Sequence, residues 1–132
     1  MTQAFYPGQV PIDAYGNGGF RFAEMSHRGS LLCLPSGMYA WSDVSDGAGG
    51  GDALSFGLTL DRLAAVVAEA DAIEVLLIGT GPSQVFLAAA LRDELAAHGL
   101  VAEAMATGAA ARTYNVLLAE KRAVAAALIA VD

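Results

Sequence analysis

Charged residues are scarce in this chain, and most of those present are acidic. They make up 16% of the 132 residues, with seven basic against fourteen acidic side chains, which gives a formal net charge of −7. A nucleic acid duplex or an anionic membrane surface repels such a protein, and no basic stripe interleaved with aromatic residues occurs. The composition therefore argues against nucleic acid as a partner.

The chain has only one cysteine and no long apolar run. The single cysteine, Cys33, excludes an internal disulfide and is typical of a protein in a reducing compartment. No run reaches the roughly 18 apolar residues that a membrane-spanning helix needs. The first residues show no basic segment followed by an apolar core, so no signal peptide is predicted. We expect a cytoplasmic protein without a transmembrane segment.

No set of residues predicts catalysis or metal binding. His27, His98 and Cys33 do not show the paired spacing of metal ligands. Ser36 and Ser83 occupy positions that turns and helix starts explain, and no base is tied to either by a motif. We therefore predict no catalytic residue, no metal and no cofactor. Enzymatic activity stays undecided, although a non-enzymatic protein is favoured.

A possible nucleotide fingerprint is incomplete. Gly79 and Gly81 follow a predicted strand and precede a predicted helix, as the first two glycines of a dinucleotide-binding loop do. Gln84 occupies the place of the third glycine. A tight strand-to-helix turn explains the two glycines more simply than nucleotide binding does.

Residues 1–57 are rich in glycine, aromatics and short apolar runs, which predicts a β-rich section built from hairpins. Residues 20–22 alternate as a half-buried strand does, 31–34 form a fully apolar run, and 38–41 read as its return strand. The glycine tract at 46–52 is predicted to be a loop, since no Gly-Lys-Ser/Thr follows it.

Residues 58–132 change to an α/β pattern within the same single domain, 1–132. Apolar residues recur at helical spacing from Leu60 to Val67, and β-branched residues then mark a buried strand. Pro82 suits the first turn of a second helix, and Thr107 is predicted to cap a third. The expected order is helix, strand 73–78, helix, strand 100–105, helix, strand 124–131. A strand–helix–strand crossover predicts that the first two strands are parallel.

The start of the last helix is the best candidate for binding. Both the turn after strand 73–78 and the start of this helix lie beyond the carboxyl ends of the predicted parallel strands, where ligands collect in open α/β sheets. Free N–H groups and the positive helix end favour an anion there. The predicted binding cleft consists of Gly79, Thr80, Gly81, Thr107, Gly108, Arg112 and Asn115. The alternative is that Arg112 pairs with a carboxylate and Asn115 closes a turn.

The same segment carries a family resemblance. The C-terminal block is its most specific part, and weaker matches extend over nearly the whole chain. The block consists of Thr107-Gly108-Ala109-Ala110, Arg112-Thr113-Tyr114-Asn115, Glu120, Arg122 and Ala126-Ala127-Leu128-Ile129. The upstream matches are Ile12-Asp13-Ala14-Tyr15-Gly16, Gly19-Phe20, Leu34-Pro35-Ser36-Gly37, Trp41 and Gly79-Thr80-Gly81. They resemble a small domain family of unknown function that includes a mitochondrial respiratory complex I assembly factor and an adipogenesis-associated protein.

The resemblance implies a three-layer α/β fold. Its centre is a mixed sheet of about five strands, flanked by helices and by a smaller β-hairpin layer from the N-terminal half. It implies no established activity and no cofactor. It indicates a bacterial cytoplasmic protein that reaches the inner membrane through partners and acts by protein contacts, as an assembly factor for respiratory complex I. The alternative is a small-molecule or anion-binding protein, with or without catalysis, that uses the predicted cleft. The charge-poor composition also leaves a homo-oligomer open.

Overall fold

Nine strands and three helices are found in residues 6–41 and 58–132, the part of the chain that the computed structural model describes. The strands are β1 Tyr6–Pro7, β2 Ala14–Gly16, β3 Gly19–Phe22, β4 Met25–Arg28, β5 Leu31–Leu34, β6 Gly37–Ala40, β7 Val75–Gly79, β8 Val101–Met105 and β9 Val124–Leu128. The helices are α1 Ala64–Val67, α2 Ala89–Ala97 and α3 Thr107–Ala119, and short 3₁₀ turns at Leu60–Leu63 and Ala70–Ala72 flank the first.

Six of the strands form one mixed sheet in the order β1-β6-β5-β9-β7-β8. The first three pair antiparallel, and β5 pairs antiparallel with β9. Strands β9, β7 and β8 are parallel neighbours. The remaining strands, β2, β3 and β4, form a separate antiparallel sheet. The sheet is parallel only where helices connect its strands, as crossover connections require.

Alternation along the central strands divides the core into two layers. In β9, Ala125 and Ala127 face one side of the sheet, whereas Val124, Ala126 and Leu128 face the other. On the first side the α1 region and α2 pack, through residues such as Leu63, Leu91 and Leu95. On the second side lie α3 and the three-stranded sheet, through Ala110, Tyr114, Phe20 and Phe22. The central strands are buried on both faces, which explains why they are almost wholly apolar.

The predicted α/β fold, with a central mixed sheet, flanking helices and a smaller β layer, is confirmed. The main sheet has six strands where about five were expected. The N-terminal section supplies three of these strands, β1, β5 and β6, and it also forms the small sheet. The parallel pairing of β7 with β8 is as predicted. The glycine tract at 46–52 lies outside the described residues.

The second helix begins later than Pro82 predicts. Residues 82–88 form an irregular segment, and α2 starts only at Ala89. Two contacts hold this segment out of a helix: the Val85 N–H donates to Thr80 Oγ1 (3.0 Å), and the Gln84 side chain donates to the Ala104 carbonyl (2.8 Å). Among the helices of the described residues, none combines the length and apolar character that crossing a bilayer requires.

Candidate functional site

The carboxyl ends of β7 and β8 form the point where a ligand would be expected. The chain leaves β7 toward α2 on one face of the sheet, and it leaves β8 toward α3 on the other. Neighbouring parallel strands whose connections depart to opposite faces create a crevice at their carboxyl ends. Gly79, Thr80, Gly81 and Thr107 all lie at this crevice, as the sequence predicted.

Thr107 fills the crevice with its own side chain. It is fully buried, its Oγ1 accepts the Gly81 N–H (3.0 Å), and its hydroxyl donates to the Ile129 carbonyl (2.7 Å). Its backbone N–H donates to the Gly81 carbonyl (2.9 Å). The prediction that Thr107 caps α3 is wrong, because Ala106 is the capping residue and Thr107 is the first helical one. The hydroxyl instead joins the helix to the residues that follow β7 and β9.

Thr80 organises the loop on the other side of the crevice. Its backbone N–H donates to the Met105 carbonyl (2.8 Å), which continues the β7–β8 pairing by one residue. Its hydroxyl donates to the Ser83 carbonyl (2.7 Å) and accepts the Val85 N–H (3.0 Å). The Thr80 side chain therefore holds the segment as far as Val85.

Two glycines of the predicted cleft are sites of close packing. A Cβ on Gly79 would lie 3.0 Å from the Cα and Oγ1 of Thr107 and from Leu128 Cδ2, so only glycine lets α3 approach β7 this closely. At Gly108, a Cβ would run into the Tyr15 hydroxyl, because that ring lies over the first turn of α3. Gly81 has φ +104°, the left-handed region that glycine adopts without strain.

The two remaining residues of the predicted cleft, Arg112 and Asn115, lie further along α3 and have different surroundings. The Asn115 side chain accepts the Ile12 N–H and donates to the Ile12 carbonyl, each at 2.8 Å. Arg112 is exposed. The ion pair found among the described residues joins Arg122 to Glu74 (2.9 Å), so Arg112 has no such partner there. The structure thus brings five of the seven predicted residues to the strand ends, including Gly108, and separates Arg112 and Asn115 from them.

The polar groups at the strand ends bond to one another. In the described part of the chain, every buried side-chain nitrogen or oxygen has a hydrogen-bond partner. A ligand entering between Gly81 and Thr107 would have to break the two hydrogen bonds that join these residues and leave buried groups unpaired, at a cost of about 1–3 kcal/mol each. Ligand binding in this cleft therefore stays a prediction, and the contacts show a closed junction.

Reactive side chains are few in the described residues. No group of three or more His, Cys, Asp or Glu side chains in them is placed to hold a metal ion. Cys33 is fully buried beside Tyr114. Burial raises the pKa of the Cys33 thiol well above its ordinary value, while the Tyr114 hydroxyl lowers it by a smaller amount. The thiol stays protonated and packs as a small apolar group.

Two surface features were missed by the sequence interpretation. Phe86, in the segment between β7 and α2, is 78% exposed. A pocket of about 410 Å³ lies on the three-stranded sheet, and none of the predicted cleft residues lines it; its lining includes Arg21 and Arg28. The uncharged run around Phe86 was visible in the sequence, but a helix was predicted there, and the run itself does not indicate which of its apolar residues is exposed. The register of β2, β3 and β4, which groups the arginines, has no local signal.

This fold defines a class of small α/β domain in which a mixed sheet is covered by helices on one face and by a helix and a second sheet on the other. The chain belongs to the family described as protein of unknown function (DUF498/DUF598), which matches residues 12–129. The match covers most of the chain and confirms the predicted resemblance. The family description itself assigns no function.

Named relatives agree with this assignment. An uncharacterized protein of Rhodobacter capsulatus is 40% identical over 124 residues, covering 94% of this chain and 87% of that protein. NADH dehydrogenase (ubiquinone) 1 alpha subcomplex assembly factor 3 of Danio rerio is 32% identical over 118 residues, covering 89% of this chain but only 63% of that protein. A solved structure from Bartonella henselae, described as an outer membrane protein, is 51% identical with a TM-score of 0.83, and the alignment covers 96% of this chain and 99% of that one.

Proposed function

We propose that this protein acts by binding other proteins, as an assembly factor for respiratory complex I, and that Phe86 is part of its contact surface. Two lines support the proposal. One relative carries the name of a complex I assembly factor. The chain also presents a large aromatic side chain to solvent in a segment whose backbone is held in place. The exposure of Phe86 is the observation that carries the proposal.

An exposed phenylalanine in a fixed segment is typical of an interaction site. No charged residue occurs from Pro82 to Leu91, and residues 88–90 are exposed as well. Exposed apolar patches are uncommon on soluble monomers, and buried aromatic residues often dominate the binding energy of interfaces. The surface formed by Phe86 and the alanines at 88–90 would therefore suit an apolar partner surface.

The strand-end contacts hold this segment in place. Val85 and Leu87 pack against the core on either side of Phe86, which directs Phe86 outward. Thr80 accepts the Val85 N–H, and Gln84 binds the edge of β8. A segment fixed in this way loses little conformational entropy when it binds, which favours affinity. Thr80, which was predicted to belong to a ligand cleft, thus supports a protein-contact surface in this proposal.

The proposal is tested in the source organism. A tagged copy of the chain should co-purify with complex I subunits or assembly factors, and a deletion strain should lose complex I activity. Restoring the deletion with Phe86→Asp should fail to recover both, because a carboxylate would be buried at the interface without a partner. If no respiratory subunit co-purifies and activity is unchanged in the deletion strain, the complex I assignment is wrong.

A matched control separates the contact surface from general effects of charge. Val116→Asp adds the same charge at another exposed apolar position, 57% exposed, on α3 at the opposite face of the main sheet. It should restore activity and co-purification as the unmodified chain does. Equal behaviour of the two variants would show that Phe86 is not part of the contact, whatever the partner.

A further inference from the structure

The outward face of the three-stranded sheet collects basic and very small side chains. In the register of β2, β3 and β4, Ala14, Arg21 and Ser26 lie side by side across the strands. Gly16, Gly19 and Arg28 form the next such row on the same face. The alternate residues, including buried Phe20 and Phe22, face the core. This outward face surrounds the pocket of about 410 Å³.

The two arginines are diagonal neighbours on adjacent strands. Arg21 lies opposite Ser26, and Arg28 is two residues beyond Ser26 on the same face. Side chains in this relationship start roughly 7–8 Å apart, within the combined reach of two guanidinium groups. Both are exposed, and the ion pair recorded in the described residues involves neither of them. Two like charges placed side by side repel each other unless an anion lies between them.

Glycines form the floor between the arginines. A Cβ on Gly19 would run into the His27 backbone carbonyl and Gly16 has φ +127°, so both positions favour glycine. Ala14 and Ser26 are the other small members of the face. The arginine side chains therefore stand beside a depression that no large side chain of this face fills. The pocket volume is in the range of about 300–1,000 Å³ found for small-molecule sites.

We propose that this pocket binds a small molecule through a phosphate or carboxylate group, held by Arg21 and Arg28 with the Ser26 hydroxyl as an additional donor. Guanidinium groups bind such oxyanions through paired, charge-assisted hydrogen bonds. The chain carries a net charge of −7, and two of its seven basic residues lie at this pocket. Asp13 and Glu24 lie near the ends of the sheet and are exposed, and neither forms an ion pair with these arginines. Neither the predicted cleft residues nor Phe86 line this pocket.

The proposal is tested by titrating the ¹⁵N-labelled chain at low salt with inorganic phosphate and with citrate. We expect saturable shifts of the backbone amide signals of residues 14–28 with at least one of the two probes. The double variant Arg21→Gln/Arg28→Gln should raise the Kd at least about tenfold, since it removes both charged donors of the hydrogen bonds to the anion. Binding should also weaken as salt is added.

The matched control is Arg92→Gln/Lys121→Gln, which removes the same charge from exposed positions on α2 and just after the end of α3. It should change the Kd about twofold or less. Absence of saturable shifts, or an equal loss of binding in both double variants, would overturn the proposal. A hexaglutamate peptide is the third probe. Binding of this peptide without binding of phosphate or citrate would also overturn it, since the site would then take the carboxylates of a protein.

Discussion

Asn115 and Ile12 are joined by two hydrogen bonds of 2.8 Å across 103 positions of the chain. The Asn115 amide accepts the Ile12 N–H and donates to the Ile12 carbonyl, so one side chain satisfies both backbone groups of a buried residue. Nearby, the Tyr114 hydroxyl donates to the Val10 carbonyl (2.8 Å). These bonds fix the segment before β2 against α3. Residues 112–115, which belong to the most specific part of the family resemblance, therefore anchor the N-terminal segment to the helix.

Replacing Asn115 by alanine should destabilise the protein by about 2–3 kcal/mol, because the Ile12 N–H and carbonyl would lose their partners. Denaturant unfolding measures this. Arg112→Ala, on the same helix but exposed and without an ion pair in the described residues, is the control and should change stability by less than about 0.5 kcal/mol. Equal effects of the two changes would contradict the role assigned to Asn115.

The substitution Asn115→Asp should not preserve the function of the amide. The introduced carboxyl group can accept the Ile12 N–H, but it also faces the Ile12 carbonyl, which disfavours its ionisation in the folded state. Its pKa would then be raised above the unfolded value of about 3.9, so the variant should lose stability as the pH rises through the carboxyl pKa. Unfolding of Asn115→Asp relative to the wild type at pH 4 and pH 7 checks this. A smaller deficit at pH 7 would contradict it.

Thr107 should be far more sensitive to loss of its hydroxyl than to loss of its methyl group. Thr107→Val keeps the shape but leaves the Gly81 N–H and the Ile129 carbonyl without their partner. We expect a loss of about 2–4 kcal/mol in the free energy of unfolding. Thr107→Ser keeps both bonds and should cost about 1 kcal/mol for the lost methyl group. The prediction fails if serine is the more damaging replacement.

The two packed glycines should respond differently to alanine. Gly79→Ala brings a Cβ against the backbone of α3, which moves only if the helix is displaced, and we expect a loss of about 1–3 kcal/mol. Gly108→Ala meets the end of the Tyr15 side chain, which is 43% exposed and can rotate away. Alanine also favours a helix by up to about 1 kcal/mol over glycine. The melting temperature of Gly79→Ala should therefore lie well below that of Gly108→Ala, and the reverse order would contradict this packing.

The parts of the fold that local patterns determine were predictable. The strand 73–78 and the strand 100–105 were identified from apolar runs, and the helix between them required parallel pairing. This pairing places the carboxyl ends of both strands at the same edge of the sheet, so the proximity of Gly79, Gly81 and Thr107 could be predicted. The antiparallel pairing of Leu31 with Leu128 did not, because it joins positions 97 residues apart through main-chain bonds that any apolar strand could make. This pairing is what draws β5 and β6 into the main sheet.

The sequence predicted where the residues of the candidate site lie, but not that their polar groups bond to one another. A threonine at a helix start usually caps the helix, so Thr107 was expected to leave donors open to solvent. Its hydroxyl instead bonds Ile129, whose position depends on the pairing of β9 with β7. Similarly, Pro82 indicated a helix that the long-range contact from Gln84 to Ala104 prevents. Both errors arise from hydrogen bonds to residues far away in the sequence, Ile129 in one case and Ala104 in the other.

The buried thiol makes a final prediction about alkaline stability. Burial raises the pKa of Cys33, so the folded thiol stays protonated where the unfolded one ionises. The neutral thiol contributes fully to the free energy of unfolding below the unfolded pKa of about 8.5. As the pH rises above that value, this contribution falls by up to about 1.4 kcal/mol per pH unit. Between pH 8 and pH 10, Cys33→Ala should therefore lose stability less steeply than the wild type in denaturant titrations.

Tyr114 provides the internal check on that slope. Burial raises its pKa too, and the neighbouring Cys33 raises it further, so both groups act in the same direction at high pH. Because tyrosine ionises at about pH 10 when unfolded, the slope that remains in Cys33→Ala should begin more than one pH unit later. The single thiol should also react with a thiol reagent only as fast as the chain unfolds. Rapid labelling of the folded protein, or identical slopes for the two chains, would show that Cys33 is not held neutral by burial.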